Sequence, residues 1–206
     1  LIMLGRHTVT QGLLALGLGG SDWSAWYRLF SCERFDEAEL TGCLFRETLK
    51  EVKPEALYVV GIDSTPIRRS SRKMPGTSWV RAAGTALFQR GLQRAQRFEH
   101  GAWLPPLQAG YTRAIPLRFL PAFPATAVAA CAPAMQEWKA GLQFVCWVRQ
   151  RLDQAGRLEQ RLLVLADGAY DNVEFWRGLP GPAIAVVRTA RNRILRSLPP
   201  VSQGRG

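Results

Sequence analysis

The sequence predicts an α/β fold, in which a mixed sheet with flanking helices follows a small helical N-terminal region. Two short runs, ALYVVGID and RLLVLAD, are nearly all apolar, which is typical of buried strands. Between them lie two shorter strand patterns joined by a turn-rich loop, and one long segment with apolar residues every three or four positions. Strands that alternate with helical segments and enclose a hairpin favour a mixed sheet.

The individual elements follow from local patterns of apolar, capping and turn residues. The predicted order is helices at 8–17, 24–30 and about 36–51, a strand at 57–63, a basic and turn-rich stretch at 64–96, strands near 97–104 and 113–120, a helix at 134–154, a strand at 161–166, a short helix near 171–178 and a strand at 183–188. We therefore expect a helical N-terminal region over 1–55 and a core containing the sheet over 56–196. The Pro/Gly-rich end, 197–206, is expected to be a disordered tail.

The chain is strongly basic, with 27 Lys and Arg against 16 Asp and Glu and a net charge of +11. Residues 63–157 carry 14 basic and four acidic side chains, whereas residues 1–62 carry six and eight. Such a balance favours a phosphate-rich partner or an anionic membrane surface. No apolar stretch reaches the roughly 18 residues of a spanning helix, so no membrane partner is expected. Four cysteines without zinc or redox spacing, and no secretory segment, predict a reducing cytoplasm.

The strongest functional signal is that each of the two apolar runs ends on an aspartate. Asp63 and Asp167 lie 104 residues apart. A carboxylate at the end of a buried strand lies on the rim of the sheet, and oxygen ligands held rigidly there suit Mg²⁺. The plain alternative is that both residues merely begin turns. Asp171 is a competing carboxylate, but Asp167 ends the strand itself, whereas Asp171 is placed to cap the following helix.

Two basic runs, RRSSRK and RTARNRILR, flank the strand ends that carry the aspartates. Arginine predominates in both, and its guanidinium suits bidentate phosphate contact. The alternative is a solvated charged face. The candidate DNA-binding residues are Arg68, Arg69, Arg72, Lys73, Arg188, Arg191 and Arg193. Most of the seven tryptophans fit a core, but Trp79 and Trp103 lie in less regular segments and could stack on bases.

Other site chemistries find little support. The glycines at 17–20 follow no strand and lack the lysine of a phosphate-binding loop. His7 and His100 are isolated from other ligands, so a zinc site is not expected. No G-x-S-x-G sequence is present for a serine hydrolase.

Five segments together resemble bacterial insertion-sequence transposases of the DDE class, which have an RNase H-like catalytic core. They are GRHTVTQGLLALGLGGSDWSAWYRLFS, VVGIDST, the basic stretch after it, YTRAIPLRF and VLADGAYDN, and they extend over about residues 5–195. The resemblance implies an RNase H-like mixed sheet and cleavage and strand transfer of DNA. Asp63 matches the first catalytic aspartate and Asp167 the second, both as ligands of two Mg²⁺ or Mn²⁺ ions. The implied partner is DNA, as transposon ends and target, and a homo-oligomer is compatible with it.

The same resemblance implies a third acidic residue on a later helix. Only 39 residues follow Asp167, and their carboxylates, Asp171 and Glu174, are too close to match. The sequence therefore predicts a C-terminally truncated transposase whose nuclease activity is weak or absent. Two other hypotheses stay open: a non-catalytic DNA-binding remnant, and a poorly folded remnant without selected function.

Overall fold

A computed structural model gives the fold of most of the chain. It describes residues 8–32, 34, 36–71, 74–82, 84–86, 88–89, 91–125 and 134–189. The chain divides into two compact units, Leu1–Cys43 and Leu44–Gly206. The tail at 197–206 lies outside the described residues.

The first unit is helical, as the sequence predicts. It contains α1 (Val9–Ala15), α2 (Trp23–Ser31) and the beginning of α3 (Glu37–Lys50). Thr8 and Asp22 accept hydrogen bonds from backbone amides of the first turns of α1 and α2, which is how polar side chains begin helices.

The second unit is built on a six-stranded mixed sheet. Its elements are β1 (Tyr58–Arg68), β2 (Ser78–Arg81), β3 (Leu92–Trp103), β4 (Ile115–Pro121), α4 (Glu137–Gln154), β5 (Leu162–Ala166), a 3₁₀ turn (Gly168–Tyr170), α5 (Val173–Gly178) and β6 (Ala183–Val187). The strand order is β2-β3-β1-β5-β6, and β4 also pairs with β3. β3 is antiparallel to its neighbours, whereas β1, β5 and β6 are parallel. The predicted fold class, a mixed α/β sheet with flanking helices after a helical N-terminal region, is confirmed.

The core lies between the sheet and α4. Val60 of β1, Val164 of β5 and Phe144 and Val148 of α4 are all buried. Gly101 lets α4 approach closely, since a Cβ there would lie 2.4 Å from the Phe144 ring. We call this side of the sheet the α4 face.

Alternate residues of each strand point to the opposite side of the sheet, which we call the second face. Several aliphatic side chains are exposed there: Leu165 is 36% exposed, Ile184 46% and Val186 56%. The second face is therefore apolar across β5 and β6.

Two details differ from the sequence prediction. β1 does not end at Asp63 but continues to Arg68, because β3 begins at Leu92 and pairs with it as far as Arg68. The same long β3 also pairs with β2, in the stretch 64–96 that the sequence predicts to be turns. Basic residues hide these strands from a hydropathy pattern, since antiparallel strands with one solvated face carry polar side chains.

Within the described residues, no helix is long and apolar enough to cross a membrane.

Candidate active site

The two candidate aspartates lie in the same register of the sheet. β1 and β5 are paired in parallel up to Gly61 and Leu165. Asp63 lies two residues after Gly61, and Asp167 lies two residues after Leu165. The paired residues and the two aspartates therefore have the same offset of 104 in sequence number. Directly opposite residues of neighbouring strands are about 4.8 Å apart and point to the same face. The structure thus places both aspartates together, on the second face.

Arg188 extends this row by one strand. β5 pairs in parallel with β6 up to Ala166 and Val187, so Asp167 and Arg188 follow at equivalent positions. The Arg188 amide donates to the Ala166 carbonyl at 3.1 Å. Gly168 allows this approach, because a Cβ there would lie 3.2 Å from the Arg188 carbonyl oxygen. The backbone positions of Asp63, Asp167 and Arg188 therefore follow one another across three neighbouring strands.

The chemistry of this pair suits a hard divalent cation. Asp167 accepts a hydrogen bond from the Ala169 amide through Oδ1 at 2.8 Å, which fixes the carboxylate at the start of the 3₁₀ turn. Both aspartates are exposed, and in the described part of the chain the Asp63 carboxylate has neither hydrogen bond nor ion pair. Exposed carboxylate oxygens fit Mg²⁺ or Mn²⁺. Among the described residues, no group of three such ligands is assembled.

Glu99 is a fully buried carboxyl group close to this pair. It lies opposite Ser64, so it points to the α4 face, whereas Asp63 points to the second face. Burial raises the pKa of Glu99 to about 8; the hydrogen bond from Tyr170 opposes this rise, and the charges of Asp63 and Asp167 add to it. Glu99 is therefore protonated at neutral pH and lies on the wrong face to be a ligand.

Glu99 instead holds the turn that follows Asp167. The Tyr170 hydroxyl donates to the Glu99 carboxyl group, with both oxygens at 2.7 Å. Tyr170 is also fully buried, and burial followed by the charge of Glu99 raises the pKa of its phenol. Because Asp167 begins the 3₁₀ turn that Tyr170 ends, this buried hydrogen bond fixes Asp167 relative to β3.

A second polar contact lies beside Asp63. Ser64 donates to Glu137 at 2.6 Å, and Arg97 forms an ion pair with the same carboxylate. Glu137 lies in the first turn of α4, where a negative charge is favourable. Asp63 is thus followed by a residue that is hydrogen-bonded to α4. Asp167 begins a turn that is hydrogen-bonded to β3. The sequence pattern did not single out Glu99 and Glu137, although the lone Glu within the strand sequence RFEHGAW was a signal for Glu99.

The packing of α4 against this buried pair gives a first testable prediction. Replacing Gly141 with Ala should lower the free energy of unfolding by about 1–2 kcal/mol, although Ala normally favours helices. A Cβ at Gly141 would lie 2.7 Å from Tyr170 Cε1 and 3.2 Å from a Glu99 oxygen. Urea unfolding measures the effect. Gly20→Ala is the control, since nothing lies within 4 Å of its added Cβ. A Gly141→Ala chain as stable as the wild type would contradict the packing described.

His100 lies directly opposite Asp63 in the antiparallel pair. Its ring stacks on Phe119, with centroids 4.3 Å apart. Burial lowers the pKa of His100, and the charge of Asp63 opposes this shift. The stacked ring of His100 thus lies on the second face, beside Asp63.

The predicted DNA-binding residues occupy two places. Arg188 adjoins Asp167, but Arg68 and Arg69 lie five and six residues beyond Asp63, roughly 17–20 Å along the strand direction. Because β1 continues past Asp63 to Arg68, the first basic run flanks the end of this strand at a distance from the aspartate. Four of the predicted residues lie outside the described part of the chain: Arg72, Lys73, Arg191 and Arg193.

The structure also shows the surroundings of Asp171, the carboxylate that competes with Asp167 as a candidate ligand, and of the two tryptophans considered for base stacking. The Asp171 carboxylate accepts hydrogen bonds from Trp176 Nε1 at 3.1 Å and from the Thr189 hydroxyl at 2.8 Å. Asn172, not Asp171, caps α5.

Trp103 is only 5% exposed and stacks on Tyr58, so its predicted role in base stacking is wrong. Trp79, in contrast, is 62% exposed.

The fold and this pair define a class, an α/β protein with a mixed sheet and two aspartates that share the register of two parallel strands. Comparison with known protein families identifies the family within this class. Residues 1–206 match the family described as DDE superfamily endonuclease, and the chain belongs to that family.

Individual relatives are remote. No curated protein matches the chain. It is similar to a chain in the crystal structure of the Mos1 mariner paired end complex with Mn, at 14% identity and a TM-score of 0.25. That similarity covers 84% of this chain and 52% of the other, so this chain spans about half of its length.

Proposed function

We propose that this chain acts in DNA transposition, as the part of a DDE transposase that supplies Asp63 and Asp167 as metal ligands. The observation that carries the proposal is the shared register of these residues: the parallel pairing of β1 and β5 has the same offset as their sequence positions. Membership in the DDE superfamily endonucleases supports it.

The proposed reaction is hydrolysis of a phosphodiester, followed by strand transfer. When bound, two divalent ions would activate the attacking oxygen and stabilise the leaving one. Asp63 and Asp167 would hold these ions, and the guanidinium of Arg188 would bind a phosphate next to them. The hydrogen bond between Tyr170 and Glu99 keeps Asp167 in place.

A third acidic ligand is needed for full activity in this proposal. Asp171 is engaged by Trp176 and Thr189, and Glu99 is buried on the α4 face. We propose that the chain of 206 residues, taken alone, binds divalent ions weakly and cleaves DNA slowly or not at all. The alternative is a non-catalytic DNA-binding remnant. It would bind DNA in the same way but would show no metal-dependent nicking.

The proposed partner is DNA, as transposon ends and target. Arg188 lies beside the acidic pair and Arg68 and Arg69 lie further along β1, and we include Arg72, Lys73, Arg191 and Arg193 from the same basic runs. The compartment we propose is the cytoplasm, because Cys32 and Cys146, in the described part of the chain, are free thiols. Self-association is also part of the proposal, since a second copy could cover the exposed aliphatic residues of the second face.

The test of DNA recognition is the salt dependence of binding to duplex DNA. Six phosphate contacts would give a log–log slope near −5, and Arg188→Gln should make that slope less steep by about 0.9. Fluorescence anisotropy with a labelled duplex measures both. Arg177→Gln is the matched control, because Arg177 is an exposed arginine in the last turn of α5. A slope near zero for the wild type would contradict the proposed function and its non-catalytic alternative together.

A further inference from the structure

Trp79 presents a large aromatic surface at the edge of the sheet. β2 pairs only with β3, so it is an edge strand. Trp79 is 62% exposed, whereas its neighbour Val80 is buried and anchors the strand. The indole therefore contributes little to the core, while its position is fixed by the backbone of β2.

Arginines surround this indole. Arg94 lies directly opposite Trp79 in the pairing of β2 and β3, and its guanidinium carbon is 5.8 Å from the centroid of the ring. Its Nη2 donates to the Thr77 hydroxyl at 2.6 Å, which fixes the guanidinium beneath the ring. A hollow of about 300 Å³ adjoins the pair and is also lined by Arg68 and Arg69. An aromatic face set among arginines suits a base and its phosphates.

Trp79 and Asp63 belong to the same face of the sheet. Asp63 lies opposite His100, and Trp79 lies opposite Arg94 on the same strand, β3. His100 and Arg94 are six residues apart, an even number, so both point to the second face. The separation is roughly 20 Å along β3, which is the length of about six nucleotides at the 3.4 Å rise of a DNA duplex.

The chemistry selects an unpaired base rather than a base pair. Bases inside a duplex have both faces covered by their neighbours, whereas an unpaired base can stack on an aromatic side chain regardless of its identity. Arg69, whose Nε donates to Gln96 at 2.8 Å, lies beside Arg94 and would neutralise the adjoining phosphates.

We propose that Trp79 and Arg94 form a stacking platform for an unpaired base, on a DNA strand that crosses the second face between this platform and Asp63. The path to Asp63 rests on the proposed function; the stacking itself does not. The platform would hold an unpaired base roughly 20 Å from the phosphate at the acidic pair.

Binding of three fluorescent DNA probes tests the platform. They are a blunt duplex of about 20 base pairs, the same duplex with a single-stranded extension of about eight nucleotides, and the extension alone. Trp79→Thr, which keeps a strand-forming residue, should weaken binding of the two probes with single strands by roughly 5- to 150-fold. It should leave blunt-duplex binding and the salt slope unchanged, because no charge is lost.

Two further variants make the result specific. Trp79→Phe should recover most of the loss, and Trp176→Ala, which removes a 40% exposed tryptophan from α5, should have no effect. In addition, 2-aminopurine placed in the extension should be quenched by the wild type and not by Trp79→Thr. If Trp79→Thr does not fold, the comparison of Trp79→Phe with Trp79→Leu replaces it, with weaker single-strand binding expected for Leu.

Equal binding of the extended probe by wild type and Trp79→Thr would overturn the platform, as would an equal loss on the blunt duplex. Failure of the proposed function has a different signature. A chain that binds single strands through Trp79 but shows no metal binding at Asp63 would keep the platform and remove the transposase proposal.

Discussion

Replacing Asp63 with Asn is expected to lower the affinity of the chain for Mn²⁺ at least about tenfold. The pair formed by Asp63 and Asp167 supplies two negative charges, and the substitution removes one charge and one bidentate ligand. Asp167→Asn should have an effect of the same size, because the two carboxylates occupy equivalent positions on parallel strands. Isothermal titration calorimetry of the whole chain measures both values.

The matched control is Glu174→Gln, which removes a charge from an exposed carboxylate in the first turn of α5. It should bind Mn²⁺ like the wild type. Equal affinity in Asp63→Asn and Glu174→Gln would contradict the assignment of Asp63. Nicking of supercoiled DNA in Mn²⁺ is a second readout: we expect little from the wild type, and nicking that Asp63→Asn abolishes would mean that two carboxylates are sufficient.

Replacing Glu99 with Gln is expected to remove a large pH dependence from the stability of the fold. The pKa of Glu99 is raised from 4.5 to about 8, so the folded chain holds a proton that the unfolded chain has lost between these values. The stability that Glu99 contributes is therefore complete below about pH 4.5. It falls by about 1.4 kcal/mol per pH unit as the pH rises toward about 8. Glu99→Gln stays neutral throughout and can still accept the hydrogen bond from Tyr170.

Urea unfolding at pH 5, 6, 7 and 8 measures this effect as the difference between the two chains. Glu99→Gln should become progressively more stable than the wild type as the pH rises. His100, whose pKa is lowered, changes stability in the opposite sense at acid pH, but it is present in both chains and cancels. Parallel curves for wild type and Glu99→Gln would contradict the buried, protonated state of Glu99.

The sequence predicts the elements that depend on continuous apolar runs. The parallel part of β1 and the strand before Asp167 are recognisable because nearly every residue on both of their faces is apolar. Helix α4 is recognisable because its apolar side chains recur at helical spacing. The position of both aspartates follows from these strands, and so does their proximity.

The remaining features depend on pairing between distant segments. The continuation of β1 to Arg68 and the existence of β2 depend on β3, which lies 24 residues beyond Arg68 at its start, Leu92. Local propensity cannot supply such a partner, since strand formation depends on cross-strand neighbours. The buried role of Glu99 likewise depends on Tyr170, which lies 71 residues away.

The boundary between the helical N-terminal region and the core also depends on contacts between distant residues. A boundary after residue 55 follows from Pro54 and the end of the helical pattern, and it stays a prediction. The two compact units divide inside α3, between Cys43 and Leu44, and Phe45 and Leu49 belong to the core of the second. One helix can contribute to two cores, which a pattern of helical spacing does not reveal.

The central claim is that Asp63 and Asp167 together bind a divalent cation, and paramagnetic broadening by Mn²⁺ tests it most directly. In a two-dimensional NMR spectrum of the labelled chain, substoichiometric Mn²⁺ should first broaden the amide signals of Asp63, Asp167 and Arg188. These residues form one row across β1, β5 and the end of β6. Asp63→Asn should abolish that broadening. Broadening centred instead on the acidic first turn of α3, at Glu37 and Glu39, would contradict the claim.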